Sequence, residues 1–195
     1  MTEGSTSKVG VFVDRDGTLI KEVGYLSRLE QIEVLPRVPE AIQLLRREGL
    51  KVAVVTNQSA VARGIITEDN LQQIHKELAA QLARRGAFLD GIYYCPHHPT
   101  EGMAPYRISC GCRKPNVGLA ERAAAELDLD VSRSYVVGDQ SGDMELAARI
   151  GAKGILIKSG DGVGYGQKSA AGFLAVKDFW EAAQWVLQDY HARKG

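Results

Sequence analysis

Two aspartates stand one residue apart in Val13-Asp14-Arg15-Asp16-Gly17-Thr18-Leu19, directly after an apolar run at 9–13. Carboxylates at i and i+2 just past a buried strand can face one pocket, and Gly17 permits the sharp turn this needs. An isolated Asp-x-Asp is more often a solvated or calcium-like turn. The alternative is phosphoryl transfer, which demands charge neutralisation and in-line positioning of two anions. A hard cation held by carboxylates supplies the first, and Mg²⁺ prefers oxygen ligands. One aspartate then acts as nucleophile and splits hydrolysis into two easier steps. The other protonates the leaving alkoxide and deprotonates water, a role worth about 10²–10⁴-fold.

Three further segments tip the balance towards that chemistry. Thr56-Asn57 offers a hydroxyl and an amide for phosphate oxygens, and Arg113-Lys114-Pro115 supplies cations just before a helix. Gly138-Asp139, followed by Asp143, adds carboxylates on the metal side. The Asp14, Thr56 and Asp139 segments close or follow short β-branched runs, and the chain has five of these: 9–13, 51–56, 91–94, 134–138 and 154–157. Such runs, bounded by turn residues, predict buried parallel strands. Helical spacing covers 39–48, 67–82, 117–127, 141–150 and 178–191, with Thr67 as an N-cap and Gly49 as a stop. Strand–helix alternation predicts an α/β fold, an open and mostly parallel Rossmann-like sheet with helices on both faces. Ligands of such sheets bind at the carboxyl ends of the strands. Here four of those ends carry Asp, Asn or Cys.

Cys95-Pro96-His97 and Cys110-Gly111-Cys112 each offer two soft or borderline donors one residue apart. Together Cys95, His97, Cys110 and Cys112 make a three-sulfur, one-imidazole set, a closed structural type for Zn²⁺. His98 is the rival for the imidazole position, and the symmetry of Cys-x-His with Cys-x-Cys favours His97. The alternative is three idle thiols beside a chance histidine. Lys114 lies two residues past Cys112, so a metal staple at about 95–112 would place Arg113 and Lys114. His75 at a helical position reads as a surface or packing residue, and His191 as exposed.

With 195 residues, 45% of them hydrophobic, the chain suits one domain at 8–195 after a disordered polar lead at 1–7. Lysine plus arginine balance aspartate plus glutamate at 24 each, which gives no reason to expect nucleic acid. No apolar run reaches the roughly 20 residues of a membrane span. An odd count of three cysteines is a poor disulfide framework and points to a reducing, cytoplasmic setting. Partners are expected to be small phosphorylated solutes, and the chain a monomer. The glycine-rich 160–172 reads as a flexible loop.

The ordered set Asp14-x-Asp16-Gly17-Thr18, Thr56, Lys114 and Gly138-Asp139-x-x-x-Asp143 resembles the haloacid dehalogenase superfamily of phosphatases. That resemblance implies Asp14 as nucleophile, Asp16 as acid/base, and Thr56 with Lys114 holding the transferring phosphoryl group. It also implies a Mg²⁺ site of Asp14, Asp139 and the Asp16 main-chain carbonyl. Asp143 would either tune the metal site or anchor a helix. The longer string Gly24-Tyr25, Thr56-Asn57-Gln58-Ser59, Ala62-Arg63-Gly64, Tyr94-to-Pro99 and Cys110-to-Pro115 is similar to the heptose bisphosphate phosphatases. The related histidinol-phosphate phosphatases share much of it. This similarity implies no large cap domain and a pocket walled by loops. The substrate contacts it implies are Arg15, Glu22, Gly24, Tyr25, Asn57, Gln58, Ser59, Arg63, Arg113 and Gln140. A guanidinium at Arg113 suits a second, non-reacting phosphate. Some relatives have lysine after Gly-Asp; Gln140 keeps a polar contact there but not a charged one. A sugar-bisphosphate phosphatase is therefore expected first, an amino-alcohol phosphate phosphatase second, and a non-catalytic zinc-stapled binding domain third.

Overall fold

The computed structural model describes residues 8–158 and 173–194; the expected lead at 1–7 and glycine-rich loop at 160–172 lie outside them, save that residue 159 is also undescribed. Each apolar run forms a strand: β1 (Gly10–Val13), β2 (Lys51–Asn57), β3 (Gly91–Cys95), β4 (Tyr135–Gly138) and β5 (Lys153–Ile157). A sixth, β6 (Leu174–Val176), has three residues, too few for periodicity to reveal. The helices are α1 (Val38–Arg47), α2 (Glu68–Arg84), α3 (Gly118–Leu127), α4 (Ser141–Ile150) and α5 (Phe179–Ala192).

All six strands run parallel in the order β3-β2-β1-β4-β5-β6. Alternate side chains feed separate cores on the two faces of the sheet. Val11, Val13, Val52, Val54, Tyr135 and Val137 pack with α1, α2 and α5. Phe12, Ala53, Val55 and Val136 pack with α3 and α4. Fully covering each valine is worth about 1.5–3 kcal/mol, so the centre of the sheet, buried on both faces, anchors the fold. The helices start where their caps dictate. Asn70 N–H donates to Thr67 Oγ1 at 3.1 Å at the head of α2, and Glu181 N–H donates to Asp178 Oδ1 at 2.9 Å at the head of α5.

β1 and β4 are neighbours at the point where strand order reverses, so a crevice opens beyond their carboxyl ends. The longer connections at that edge, 14–37 and 96–117, wall it, and neither forms a separate cap. The 96–117 loop is docked on the chain that follows β2. Met103 N–H donates to Ala62 O at 2.9 Å. Gly102 beside it has φ 93°, and a Cβ there would lie 2.0 Å from Ala62 O. Among the described residues no helix is long and apolar enough to cross a membrane.

Candidate active site

Asp14 is fixed by the sheet itself: its N–H donates to Val137 O at 2.9 Å, extending the β1–β4 ladder. Its Oδ1 accepts from Arg15 N–H at 2.8 Å and from Lys114 Nζ at 2.9 Å. Among the described residues Oδ2 accepts no hydrogen bond. Lys114 is buried and also donates to Asp143 Oδ1 at 2.6 Å. Burial alone would lower the Lys114 pKa, but the carboxylates of Asp14 and Asp143 outweigh it and raise it. The ammonium therefore stays charged. Asp143 anchors in turn by accepting from Gln140 N–H at 3.1 Å through Oδ2. It braces both Lys114 and the head of α4, the second of which is the expected helix anchor.

Asn57 stands at the end of β2, as expected, but its amide has another task. It receives Lys114 N–H at 3.0 Å and donates to Lys114 O at 3.1 Å. Both hydrogen bonds serve to place the lysine, while Asn57 also lines the cleft, where the sequence expects a phosphate contact.

Arg15 also departs from expectation. Rather than facing substrate, its side chain is 1% exposed behind Asp16. Nε lies 3.2 Å from both Asp16 carboxylate oxygens, and Nη2 donates to Gln58 Oε1 at 2.8 Å. Gln58 Nε2 then bridges Asp16 Oδ2 at 2.8 Å and Thr56 Oγ1 at 2.9 Å. Gln58 lines the cleft and at the same time orients both neighbours. The reason is steric. Asp14 and Asp16 turn towards the crevice, so the residue between them must turn into the core.

Asp14, Asp139 and Asp143 bring carboxylate oxygens within 4.8 Å of one another. Asp139 Oδ1 is buried and has no hydrogen-bond partner among the described residues. Burial raises the Asp139 pKa, and the Asp14 charge adds to this. An orphaned carboxylate oxygen among acids fits a hard divalent cation. Gly17 makes the close approach possible: its φ is 72°, and a Cβ would lie 2.3 Å from Asp139 Oδ2. Gln140 Nε2 donates to the other oxygen, Asp139 Oδ2, at 3.0 Å, so its side chain touches the acid rather than standing free. Burial, then repulsion from Asp16 and Asp139, raises the Glu22 pKa.

The cysteine cluster converges. Cys95, Cys110 and Cys112 have Sγ–Sγ separations of 3.1, 3.3 and 3.5 Å, and His97 Nδ1 lies 3.4 Å from Cys112 Sγ and 3.7 Å from Cys95 Sγ. Edges of about 3.5–3.8 Å follow from tetrahedral Zn–S and Zn–N bonds of about 2.3 and 2.0 Å, so the donor set fits that ion with slight expansion. His98 is absent from the cluster. Its Nδ1 faces Thr100 N–H at 3.4 Å and accepts from Glu101 N–H at 3.0 Å. Burial, reinforced by the neighbouring thiols, pushes the Cys95 thiol up, a cost that a bound cation would offset.

The resulting cleft is about 370 Å³, within the ordinary range for small ligands. Asp14, Asp16, Glu22, Gly24, Tyr25 and Ser59 line it, with Thr56, Arg113, Lys114, Asp139 and Gln140. Leu26, Ser141 and Gly142 line it too, without having been singled out by the sequence. Ser141 was open to inference, because it begins α4 one residue after Gln140. Arg63 does not line the cleft. It pairs with Glu101 and lies over the Tyr25 ring at 5.2 Å, so it braces the wall from behind. His75 is buried against Arg15, consistent with a packing position, while His191 is exposed and pairs with Glu48.

Known proteins share both chain and fold. A model of the HAD-hydrolase-like family matches residues 111–182. The D-glycero-β-D-manno-heptose-1,7-bisphosphate 7-phosphatase of Photorhabdus laumondii is 40% identical over 89% of this chain and 92% of its own length. The same-named protein of Pasteurella multocida is 42% identical over 86% of this chain and 91% of its own. Among solved structures, the D,D-heptose 1,7-bisphosphate phosphatase of B. bronchiseptica, complexed with magnesium and phosphate, superposes with a TM-score of 0.77 at 28% identity. It covers 93% of this chain and 99% of that one. A HAD-like phosphatase of Mesorhizobium loti gives 0.80 at 31%, covering 93% and 85%. Similarity of this extent, carried along nearly the whole length, places the chain in the haloacid dehalogenase-like hydrolases as a phosphoric monoester hydrolase.

Proposed function

We propose that the chain is a Mg²⁺-dependent phosphatase that removes the C7 phosphate of D-glycero-D-manno-heptose 1,7-bisphosphate through an aspartyl-phosphate on Asp14. The observation that carries the substrate is a second cation in the same cleft. Lys114 is committed to Asp14 and Asp143, whereas Arg113 lines the wall and forms no ion pair among the described residues. Its Nη1 donates to His97 O at 3.1 Å, which ties one nitrogen of the fork and leaves an edge for a second phosphate. The names of the relatives agree with such a substrate.

A terminal, primary phosphate enters at Asp14 without ring atoms crowding the acidic end. Asp14 Oδ2 attacks phosphorus in line, while Lys114 and Thr56 hold the phosphoryl oxygens. Asp16 gives a proton to the C7 oxygen as its bond to phosphorus breaks. Asp16 then takes a proton from water, which attacks the phosphorus of the aspartyl-phosphate, releases inorganic phosphate and restores Asp14. Asp14, Asp139 and the Asp16 main-chain carbonyl would hold Mg²⁺, which neutralises phosphate charge. Zn²⁺ on Cys95, His97, Cys110 and Cys112 would be structural and would fix the loop that carries Arg113.

Arg113→Ala tests the distal contact. A charge-assisted hydrogen bond is worth about 1.5–3 kcal/mol, or roughly ten- to hundredfold. The specificity constant for the bisphosphate is expected to fall by that factor, with little change on a heptose 7-monophosphate. Equal losses on both would assign Arg113 to the transferring phosphate or to the fold. For the zinc site, elemental analysis of protein purified without chelators is expected to show one zinc per chain, lost in Cys110→Ser together with thermal stability. Zinc-free native protein would remove the site.

A further inference from the structure

A buried cation lies directly behind the acid/base, and its far end is held from a helix outside the cleft. Burying a guanidinium is costly unless its donors are met. Arg15 meets Asp16 with Nε at 3.2 Å and Nη2 at 3.0 Å, while Nη1 turns the other way and meets His75 Nε2 at 3.1 Å. Arginine has donors only, so His75 Nε2 is the acceptor. The imidazole is therefore neutral, with its proton on Nδ1. Burial, then the charge of Arg15, lowers the His75 pKa to about 3, which keeps that form at any ordinary pH. His75 sits on the buried face of α2 with Leu71, Ile74 and Leu78. The Tyr94 ring packs on it at 5.4 Å, and Tyr94 Oη is held by Glu68 at 2.9 Å. The acceptor is thus rigidly placed, sixty residues from the arginine it holds.

We propose that His75 is a positioning residue for the reaction. By accepting from Arg15 Nη1 it fixes the plane of the guanidinium fork, and that plane sets the direction in which Asp16 presents its carboxyl to the leaving oxygen. The role deepens the proposed mechanism and needs Asp16 as acid/base, but it needs no particular sugar. Gln58 holds Asp16 and Thr56 without His75, so loss of the imidazole should loosen proton transfer while sparing phosphate binding.

The test compares His75→Leu, which removes the acceptor, with His75→Gln, whose amide oxygen can replace it. Each full-length, metal-replete protein is assayed on a sugar 6-phosphate, which has a poor leaving group. The burst of nitrophenolate from p-nitrophenyl phosphate is measured too, because that leaving group needs little protonation. Misplacing a general acid worth about 10²–10⁴-fold by a fraction of an ångström forfeits part of its effect. His75→Leu should lower kcat on the sugar phosphate about ten- to hundredfold, with KM within about twofold. The nitrophenolate burst should fall by less than about threefold, and His75→Gln should recover most of the loss. Equal proportional losses on both substrates, or a Gln variant as poor as Leu, would reduce His75 to a packing role. If His75→Leu does not fold, ¹⁵N NMR of the unmodified protein decides: a neutral Nδ1–H ring is expected, and an Nε2–H or protonated ring overturns the proposal. An unmodified protein that hydrolyses no phosphomonoester would instead sink the phosphatase mechanism itself.

Discussion

Asp14→Asn is expected to reduce turnover by about 10⁴-fold or more while leaving the fold intact. Asparagine keeps the shape, and its Oδ1 can still accept from Arg15 N–H and Lys114 Nζ, the two donors that Asp14 Oδ1 meets. Lys114 retains Asp143 as its counter-ion, so its charge is not stranded. What disappears is the anionic Oδ2 that attacks phosphorus in the proposed mechanism. A neutral amide in that place cannot form the mixed anhydride. Steady-state assay of metal-replete protein, with thermal unfolding as a control, checks this. Activity within about tenfold of the unmodified chain would remove Asp14 from the chemistry, since that is far less than loss of a nucleophile costs.

Asp16→Asn should cost about 10²–10⁴-fold, the usual worth of a general acid/base. The loss should be greatest for alkyl phosphates, whose leaving oxygen needs the proton most. The substitution also removes the anion facing the buried Arg15, leaving Gln58, His75 and at most a neutral amide oxygen as its side-chain partners. Breaking a buried pair in this way typically costs about 3–5 kcal/mol, reduced here because Asp16 is 18% exposed. Stability is therefore expected to fall as well, and kcat must be referred to the folded fraction. Comparison across leaving groups separates the effects, because lost stability scales all substrates alike.

Much of this site is legible in the sequence because its parts are local. The β-branched runs mark the central strands, and in a parallel sheet their carboxyl ends share one edge, which brings Asp14, Asn57, Cys95 and Asp139 together. The paired spacing of Cys95-x-His97 and Cys110-x-Cys112 likewise survives folding as one cluster. Direction is what the sequence hides. Arg15 lies between two cleft carboxylates, yet its guanidinium points into the core, where Gln58 and His75 complete its hydrogen bonds. Asn57 reads as a phosphate contact; it does line the cleft, but its amide is also engaged in clamping the Lys114 backbone. Arg63 reads as a substrate contact and instead braces Tyr25. In each case the type and approximate place follow from one strand end, whereas the partner comes from a segment distant in the chain. His75 is the exception that spacing could have located: it shares a helical face with Leu71, Ile74, Leu78 and Leu82, a pattern that predicts burial.

The most direct measurement is ³¹P NMR of one reaction that contains heptose 1,7-bisphosphate and histidinol phosphate at equal concentration, with Mg²⁺ and limiting enzyme. The expected result is early loss of the primary C7 phosphate signal, growth of inorganic phosphate, and persistence of both the anomeric C1 phosphate and histidinol phosphate. Loss of the C1 signal first, or faster consumption of histidinol phosphate, would contradict the account.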